Sequence, residues 1–460
     1  MKAGNRVWWF VGMLATVVAL CAVVNLTPTQ ILAVTIFASF IIGTLLYWQF
    51  RLAFALIGMT LLLAGRVIDI PHLVEFANMD IILFLVGMML VIGFLEERRF
   101  FEVVMETLLA AIGRRPYALL AAMMGLAMVS AALVDEVTSI LFMTTLTLHI
   151  TQRFKVAPLP FVMMVVFATN IGSSATVVGN PIGVLIALRA GLTFADFLRW
   201  ATPISLAVLG VTIPLCLIYF RRPMATLAAR MAESHGKPIQ VEHVPARDFR
   251  LALGLFLTTI SALVAHHAVE EWLHLEKNTL LLGIPFLMAG VALLLEGENA
   301  RALFEKRVDW WTLTFFILLF ASVGTLRYVG VTDRIAEGFA ALGGGSAVGI
   351  LALVMVTAAI LTALLDNVLV IATFIPILAD LAQAGLAVQP LWWGLLFAGT
   401  LGGNATMIGS TANIVALGML ERRGAKVRFS EWLIPGLIVT IPTVVLAFLG
   451  LVLQLPRLLP

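Results

Sequence analysis

The chain has 460 residues, of which 61% are hydrophobic and 12% charged, with a mean hydropathy of +1.05. Soluble domains carry about 25% charged residues, so these proportions exclude a soluble globular class and point to an all-α polytopic membrane protein. The net charge of +3 is small and no nucleic-acid partner is expected; Cys21 and Cys216, each inside an apolar run, exclude a disulfide framework or a cysteine metal site.

The N-terminal stretch MKAGNRVWWFVGMLATVVALCAVVN has a basic start, a long apolar run and no small-residue cleavage site. It reads as a first transmembrane helix within residues 1–28 rather than a removed signal. Further candidate spans are 29–48, 52–65, 80–95, 160–190, 202–220, 250–268, 279–295, 309–327, 391–420 and 432–454, against a full crossing of about 20 apolar residues. With the first, at 7–25, that makes eleven. Two longer stretches, 117–151 and 347–384, carry acids near their middles: Asp135-Glu136 in LVDEVTS and Asp366-Asn367 in LLDNVLV. The basic residues on both flanks of 117–151 (Arg114, Arg115, Arg153, Lys155) place both its ends on the cytoplasmic side. Such a segment enters and leaves by one face, as a helical hairpin folded at its acids. The same counting, with Lys2, Arg6, Arg301, Lys306, Arg307 and the basic run ERRGAKVR (421–428) inside, puts the ends of 347–384 outside. The N-terminus is then cytoplasmic and the C-terminus external.

The two hairpins head an internal repeat. MDIILF (79–84) matches VDWWTL (308–313), Asp135 matches Asp366, GSSATVVGNPIG (172–183) matches GGNATMIGSTAN (402–413), and FADFL (194–198) matches FSEWL (429–433), all at a spacing near 230 residues. Repeat 1 covers 29–220 and repeat 2 covers 250–460, joined by a hydrophilic cytoplasmic linker at 221–249. Loop charges give the copies opposite orientation, an arrangement shared by alternating-access transporters.

Spans 160–190 and 391–420 are expected to be broken. TNIGSSATVVGNP and GTLGGNATMIGSTAN gather Gly, Ser, Thr and Asn at mid-span, with Pro in the first; these residues weaken or compete with helical bonding. Unwound backbone at membrane depth belongs where it lines a cavity or is buried in protein. Small-residue packing faces are the alternative. A carboxylate at the bilayer centre costs at least about 2.5–3.5 kcal/mol. Carboxylates at the hairpin tips therefore bind a cation, relay protons or are held neutral, unless they only cap the second hairpin helix. The candidate substrate- and ion-binding residues are Asp135, Glu136, Thr138, Asn170, Ser173, Ser174, Thr176, Asn180, Asp366, Asn367, Asn404, Thr406, Ser410 and Asn413. Asp135 and Asp366 are the first choice for ion coupling, as a Na⁺ or H⁺ site. Asp80 and Asp309 read as helix starts, and Asp196 and Glu431 as parts of interfacial segments. The His- and Glu-rich AHHAVEEWLHLEK (265–277) reads as a solvated loop without metal spacing, and ERRFFEVVMETLLAAIGRR (97–115) as an interfacial helix.

With these motifs, most of the chain, roughly 30–454, resembles the ion transporter superfamily. That group includes arsenite permeases, NhaD-type sodium/proton antiporters, the melanosomal P-protein and citrate-transporter-like divalent-anion symporters. The symporters carry Ser-Asn-Thr at each hairpin tip; the Asp-Glu-Val and Asp-Asn-Val found here are similar to the arsenite/NhaD/P-protein branch. Where the family continues Gly-Asp-Pro-Pro-Asn after its first break, this chain reads Gly179-Asn180-Pro181-Ile182-Gly183, with Asn413 at the equivalent of the last position in copy two. The resemblance implies a scaffold domain that dimerises and a transport domain that moves like an elevator, with substrate between the hairpin tips and the broken spans. It implies a plasma-membrane secondary transporter rather than an enzyme, with no cofactor beyond a coupling H⁺ or Na⁺. The substrate expected is arsenite or Na⁺, or else a dicarboxylate, citrate or sulfate anion taken with Na⁺. Single cysteines introduced near Lys155 and near Gln389 should label from opposite faces of sealed vesicles; labelling from one face removes the inverted arrangement.

Overall fold

The computed structural model describes residues 3–101, 103–104, 107, 115–233, 245–344, 346–425 and 427–458, and every regular element among them is helical. Most of the stretch 97–115, and the middle of the 221–249 linker, lie outside the described residues. Ten described helices are long and apolar enough to cross a membrane, judged by length and composition. Eight coincide with expected continuous spans, from Arg6–Val23 to Phe429–Leu458; the other two, Pro116–Leu133 and Ala347–Leu364, are the first arms of the expected hairpins. The span expected at 52–65 is a helix of 14 residues, Arg51–Ala64. At 1.5 Å per residue it covers about 21 Å, short of a full crossing. Residues 160–190 and 391–420 are interrupted, as Leu159–Gly172 then Pro181–Ala190, and Gln389–Gly402 then Thr411–Arg422.

The chain forms two compact units. One comprises Met1–Leu83, Val308–Leu353 and Ile371–Val388; the other comprises Phe84–Arg307, Val354–Val370 and Gln389–Pro460. Each unit therefore draws on both sides of the 221–249 linker, whose first part, Arg221–Glu233, is helical and buries Met224, Leu227 and Met231.

In the first unit, the helix Trp310–Tyr328 packs against Pro28–Leu46, Arg51–Ala64 and Ile70–Phe76. Local sequence sets the helix ends. Thr27 and Gln30 form a reciprocal capping box with Pro28 behind it, and Asp309 accepts a bond from the Thr312 amide at 3.1 Å, making it the helix start the sequence suggests. Gln30 Nε2 then donates to the Val329 carbonyl at 2.8 Å. Arg327 pairs with the buried Asp380 at 3.2 Å, and Asp333 faces the same carboxyl.

In the second unit, Pro116–Leu133 packs against Glu136–Arg153, and both pack against Leu159–Gly172. Elements of the two sequence copies also touch: Thr411–Arg422 lies against Glu136–Arg153 and Leu159–Gly172, and Pro181–Ala190 against Gln389–Gly402. Asp196 and Glu431 both sit in the first turn of a helix, where they accept bonds from the Thr193 and Arg428 amides at 2.8 and 2.9 Å. The stretch 265–277 departs from the expected solvated loop. The helix Ala246–Leu273 continues through it and ends only at His274, whose φ is 55°. Glu270 is buried and accepts bonds from the amides of Asn278 and Leu280, closing the start of the next helix. No set of three metal-ligating side chains occurs among the described residues.

Desolvation where it meets Asp380, and then the like charge of Asp380, raise the pKa of Asp333. An acid whose folded pKa is raised opposes folding at neutral pH, and that penalty fades as pH falls through the folded value. Asp333→Asn should raise the unfolding midpoint in detergent at neutral pH, by an amount that shrinks on acidification. An increment that grows on acidification contradicts the assignment.

Candidate functional site

Each hairpin turns within two residues, between Leu133 and Glu136 in the first and between Leu364 and Asn367 in the second. A helix leaves its first amides and last carbonyls without intrahelical partners, and here both ends are met by matched side chains. Asp135 accepts bonds from the Val137 and Thr138 amides at 2.7 and 2.8 Å. Asp366 does the same for Val368 and Leu369 at 3.1 and 3.3 Å, and Thr411 Oγ1 reaches its other oxygen at 3.4 Å. On the preceding arm, the Thr176 hydroxyl donates to the Ala132 carbonyl, and Thr406 donates to Ala363. The unwound segment of each copy is thus tied to the hairpin of the same copy by an equivalent bond.

Glycine permits the close approach. A Cβ at Gly172 would lie 2.2 Å from the Met128 carbonyl oxygen, and one at Gly402 would lie 2.4 Å from Thr362 Oγ1. Met128 and Ala359, the latter 2.8 Å from the same Gly402 position, are themselves matched residues.

The breaks are stabilised by their own polar side chains. Asn180 caps Pro181–Ala190, accepting from the Gly183 amide at 2.8 Å and donating to Ser173 Oγ at 3.1 Å. Ser410 caps Thr411–Arg422 through the Ala412 amide. Ser173 and Ser174 donate to the carbonyls of Asn170 and Ile171.

Asn170 joins the two copies. Its amide nitrogen donates to Asn404 Oδ1 at 2.7 Å and to Asn413 Oδ1 at 2.9 Å, and its oxygen accepts from Ser410 Oγ at 3.0 Å. Asn413 in turn donates to the carbonyls of Gly403 and Thr406, both at 2.7 Å, closing the second unwound segment on itself. Asn170, Asn404, Ser410 and Asn413 are all fully buried or nearly so.

Thirteen of the fourteen predicted residues thus take part, through a side-chain hydrogen bond or a buried polar atom, in one polar cluster of the second unit; Thr138, part-exposed, contributes its backbone amide at the first tip. Three polar atoms of the cluster are buried without a hydrogen-bond partner: Glu136 Oε2, Asn367 Nδ2 and Asn404 Nδ2. Together they leave one acceptor oxygen and two amide nitrogens without bonds. No ion pair to Glu136 occurs among the described residues, and its neighbouring charges are Asp366 and Asp135. A cavity of about 560 Å³ in the first unit, lined by Arg66, Asp69 and Tyr328 among others, contains none of these residues. Sequence reasoning missed Thr411, Ser205, which meets Ser174 at 2.9 Å, and Trp432, which donates to the Asn404 carbonyl at 3.3 Å. Thr411 had a signal, as the neighbour of a predicted residue, and Trp432 had one, inside the matched block FSEWL; Ser205 lies on the following span and had none.

Comparison with known proteins bears on what this cluster serves. The family model described as citrate transporter matches residues 40–398 and 326–460. The chain belongs to the citrate transporter family. It is 34% identical over 375 residues to an uncharacterized transporter of Mycobacterium tuberculosis, covering 80% of this chain and 84% of that one. It is 26% identical to the human P protein, covering 79% of this chain and 52% of that protein. The crystal structure of the Alcanivorax borkumensis YdaH transporter superposes with a TM-score of 0.59 at 14% identity, over 88% of this chain and 90% of that one, a likeness of fold. This citrate transporter family member is therefore a multi-pass membrane transporter of the ion transporter superfamily, a family of transporters rather than enzymes.

Removing the shared asparagine strands several buried partners, each at a cost of about 1–3 kcal/mol. Asn170→Ala should therefore lower the unfolding midpoint in detergent clearly more than Asn180→Ala, which leaves the contact between copies intact. Equal losses contradict a bridging role for Asn170.

Proposed function

We propose that the chain is a secondary active transporter of a small inorganic ion, of the arsenite or Na⁺ type, coupled to protons or Na⁺. The observation that carries the reading is the buried polar cluster of the second unit. It joins two unwound segments, leaves Glu136, Asn367 and Asn404 with unmade bonds, and holds three carboxyl groups with no Lys or Arg paired to Glu136. Such a set suits a cation, a proton or a neutral hydroxylated solute better than a free anion.

The matched bonds Thr176–Ala132 and Thr406–Ala363, and the matched caps Asp135 and Asp366, support a duplicated architecture with copies of opposite orientation. Two such copies can exchange conformations, giving inward- and outward-open states of similar energy. On this reading one bundle rocks or rides past a dimerised scaffold in the plasma membrane, with the N-terminus cytoplasmic. The homodimer, the elevator motion and the membrane assigned are parts of the proposal.

The family name favours a second reading, a Na⁺-coupled symporter of citrate, a dicarboxylate or sulfate. The charge of the cluster sets a condition on it: a multiply charged anion entering beside three carboxyls must bring compensating cations or protons.

Reconstitution separates the readings. With the purified chain in vesicles loaded with a pH-sensitive dye, the first predicts a change in lumenal pH on adding arsenite or Na⁺. The second predicts Na⁺-dependent uptake of citrate or sulfate and no response to arsenite. Silence to the whole panel removes both.

A further inference from the structure

Among the carboxyls of the cluster, the two that match between the copies are already occupied. Asp135 and Asp366 each spend an oxygen on two amides at the start of the second hairpin arm, as N-cap residues do. Glu136 differs. It lies one residue further on, inside the first turn of its helix, and is 2% exposed. Its Oε2 has no hydrogen-bond partner. The polar side chains that face it are Asn367 and Ser173, and the charges near it are those of Asp366 and Asp135.

We propose that Glu136 is the group that loads and releases the coupling proton, and that Asp135 and Asp366 are structural caps. The proposal rests on the transport reading above and names the residue responsible for coupling within it. A buried carboxylate without a paired cation is costly. Asp135 and Asp366 each have an oxygen committed to helix amides, which leaves fewer of the several oxygen ligands that a hard metal cation requires, whereas a proton needs only Glu136 itself. When the site faces one aqueous side, a proton from water adds to a Glu136 oxygen and forms the O–H of a neutral carboxyl. After the site turns, that bond breaks and the proton leaves to water on the other side. Nothing is oxidised or reduced. In the carboxylate state the unmade Nδ2–H of Asn367 is the available donor; in the acid state the new O–H is itself a donor, to Ser173 Oγ or to a solute oxygen.

The same geometry sets a count. Asn367 stands in the second copy where Glu136 stands in the first. An amide does not ionise, so the duplicated site carries one proton-loading carboxyl per chain, and the two halves are chemically unequal at the position that matters for coupling.

Asn caps a helix about as well as Asp. Asp135→Asn and Asp366→Asn therefore remove charge while keeping the caps, and Glu136→Gln removes the ionisable group while keeping its shape. The full chain is reconstituted in lipid, and infrared difference spectra are taken between acid and alkaline buffer, a readout that needs no substrate. Beside the bands of the other carboxyls, which every variant shares, wild type should show the band of one further, buried carboxyl that gains a proton in acid. Glu136→Gln should lose it, and Asp135→Asn and Asp366→Asn should keep it. In the dye-loaded vesicles, Glu136→Gln should abolish the pH change caused by arsenite or Na⁺. Asp135→Ala should lower the unfolding midpoint while Asp135→Asn leaves it near wild type. A buried-carboxyl band that is unchanged in Glu136→Gln, or that disappears in either Asp→Asn variant, overturns the assignment. A chain that shows the Glu136 band yet moves nothing in the vesicle panel keeps the assignment of the titrating group and sinks the transport reading instead.

Discussion

Everything in the central cluster answers one constraint: a helix that ends inside apolar surroundings exposes backbone groups that no water can reach. This chain ends helices there repeatedly, at two hairpin turns and two unwound segments. The matched pairs are an economical solution. A threonine of each unwound segment covers a terminal carbonyl of the first hairpin arm, and an aspartate covers the opening amides of the second. Because the partners come from different elements, satisfying the backbone also fixes the hairpin against the broken helix. Gly172 and Gly402 complete the arrangement by letting backbones approach where any side chain would collide. The polar residues that look like a binding site are, first of all, what makes the irregular backbone tolerable.

That double duty explains how much was legible. The breaks were readable because Gly, Ser, Thr and Asn gathered inside an apolar run disfavour a continuous helix there, and Leu159–Gly172 and Gln389–Gly402 end inside those stretches. The hairpin tips were readable because a carboxylate in such a run is costly unless something holds it. Reach was not legible. Nothing local announces that Asn170 bonds Asn404 and Asn413, more than 230 residues away. Nor does the sequence say which carboxyls are consumed by capping. Asp135 and Glu136 are neighbours of like charge, and only the turn geometry separates a cap from an unpartnered group. One helix runs further than expected: Ala246–Leu273 continues through histidines and glutamates, and the buried Glu270 caps the next helix. Arg51–Ala64 has the expected bounds, and its 14 residues are short of a full crossing.

Where the two matched stretches of sequence differ is as informative as where they agree. Asn413 occupies the place of Gly183, and its amide closes the second unwound segment onto the carbonyls of Gly403 and Thr406. In the first segment that internal brace comes instead from Asn180 to Ser173. Asn170 has Thr400 as its counterpart, so the bond that joins the copies runs from one side only. Identical halves would place each polar group opposite its own copy, acid against acid. Unequal halves let an amide of one meet an oxygen of the other, which is how a buried contact between copies can be satisfied without a salt bridge.

On the proposed reading, the charge balance of the cluster constrains the solute. Coulomb interactions strengthen as water is excluded, so three carboxyls in one buried region repel an approaching anion and one another. Capping relieves part of this, because the opening amides of a helix carry partial positive charge that favours a carboxylate beside them. Asp135 and Asp366 have that relief; Glu136 sits beyond it, within the first turn, and faces Asn367 rather than an amide row. A proton, or a cation carried with the solute, removes the remaining imbalance, and a neutral solute leaves it unchanged. An anion arriving alone increases it. Citrate brings negative charge to a place already supplied with it, so a citrate carrier built on this cluster must couple the anion to positive charge as a condition of binding, before any question of driving force arises.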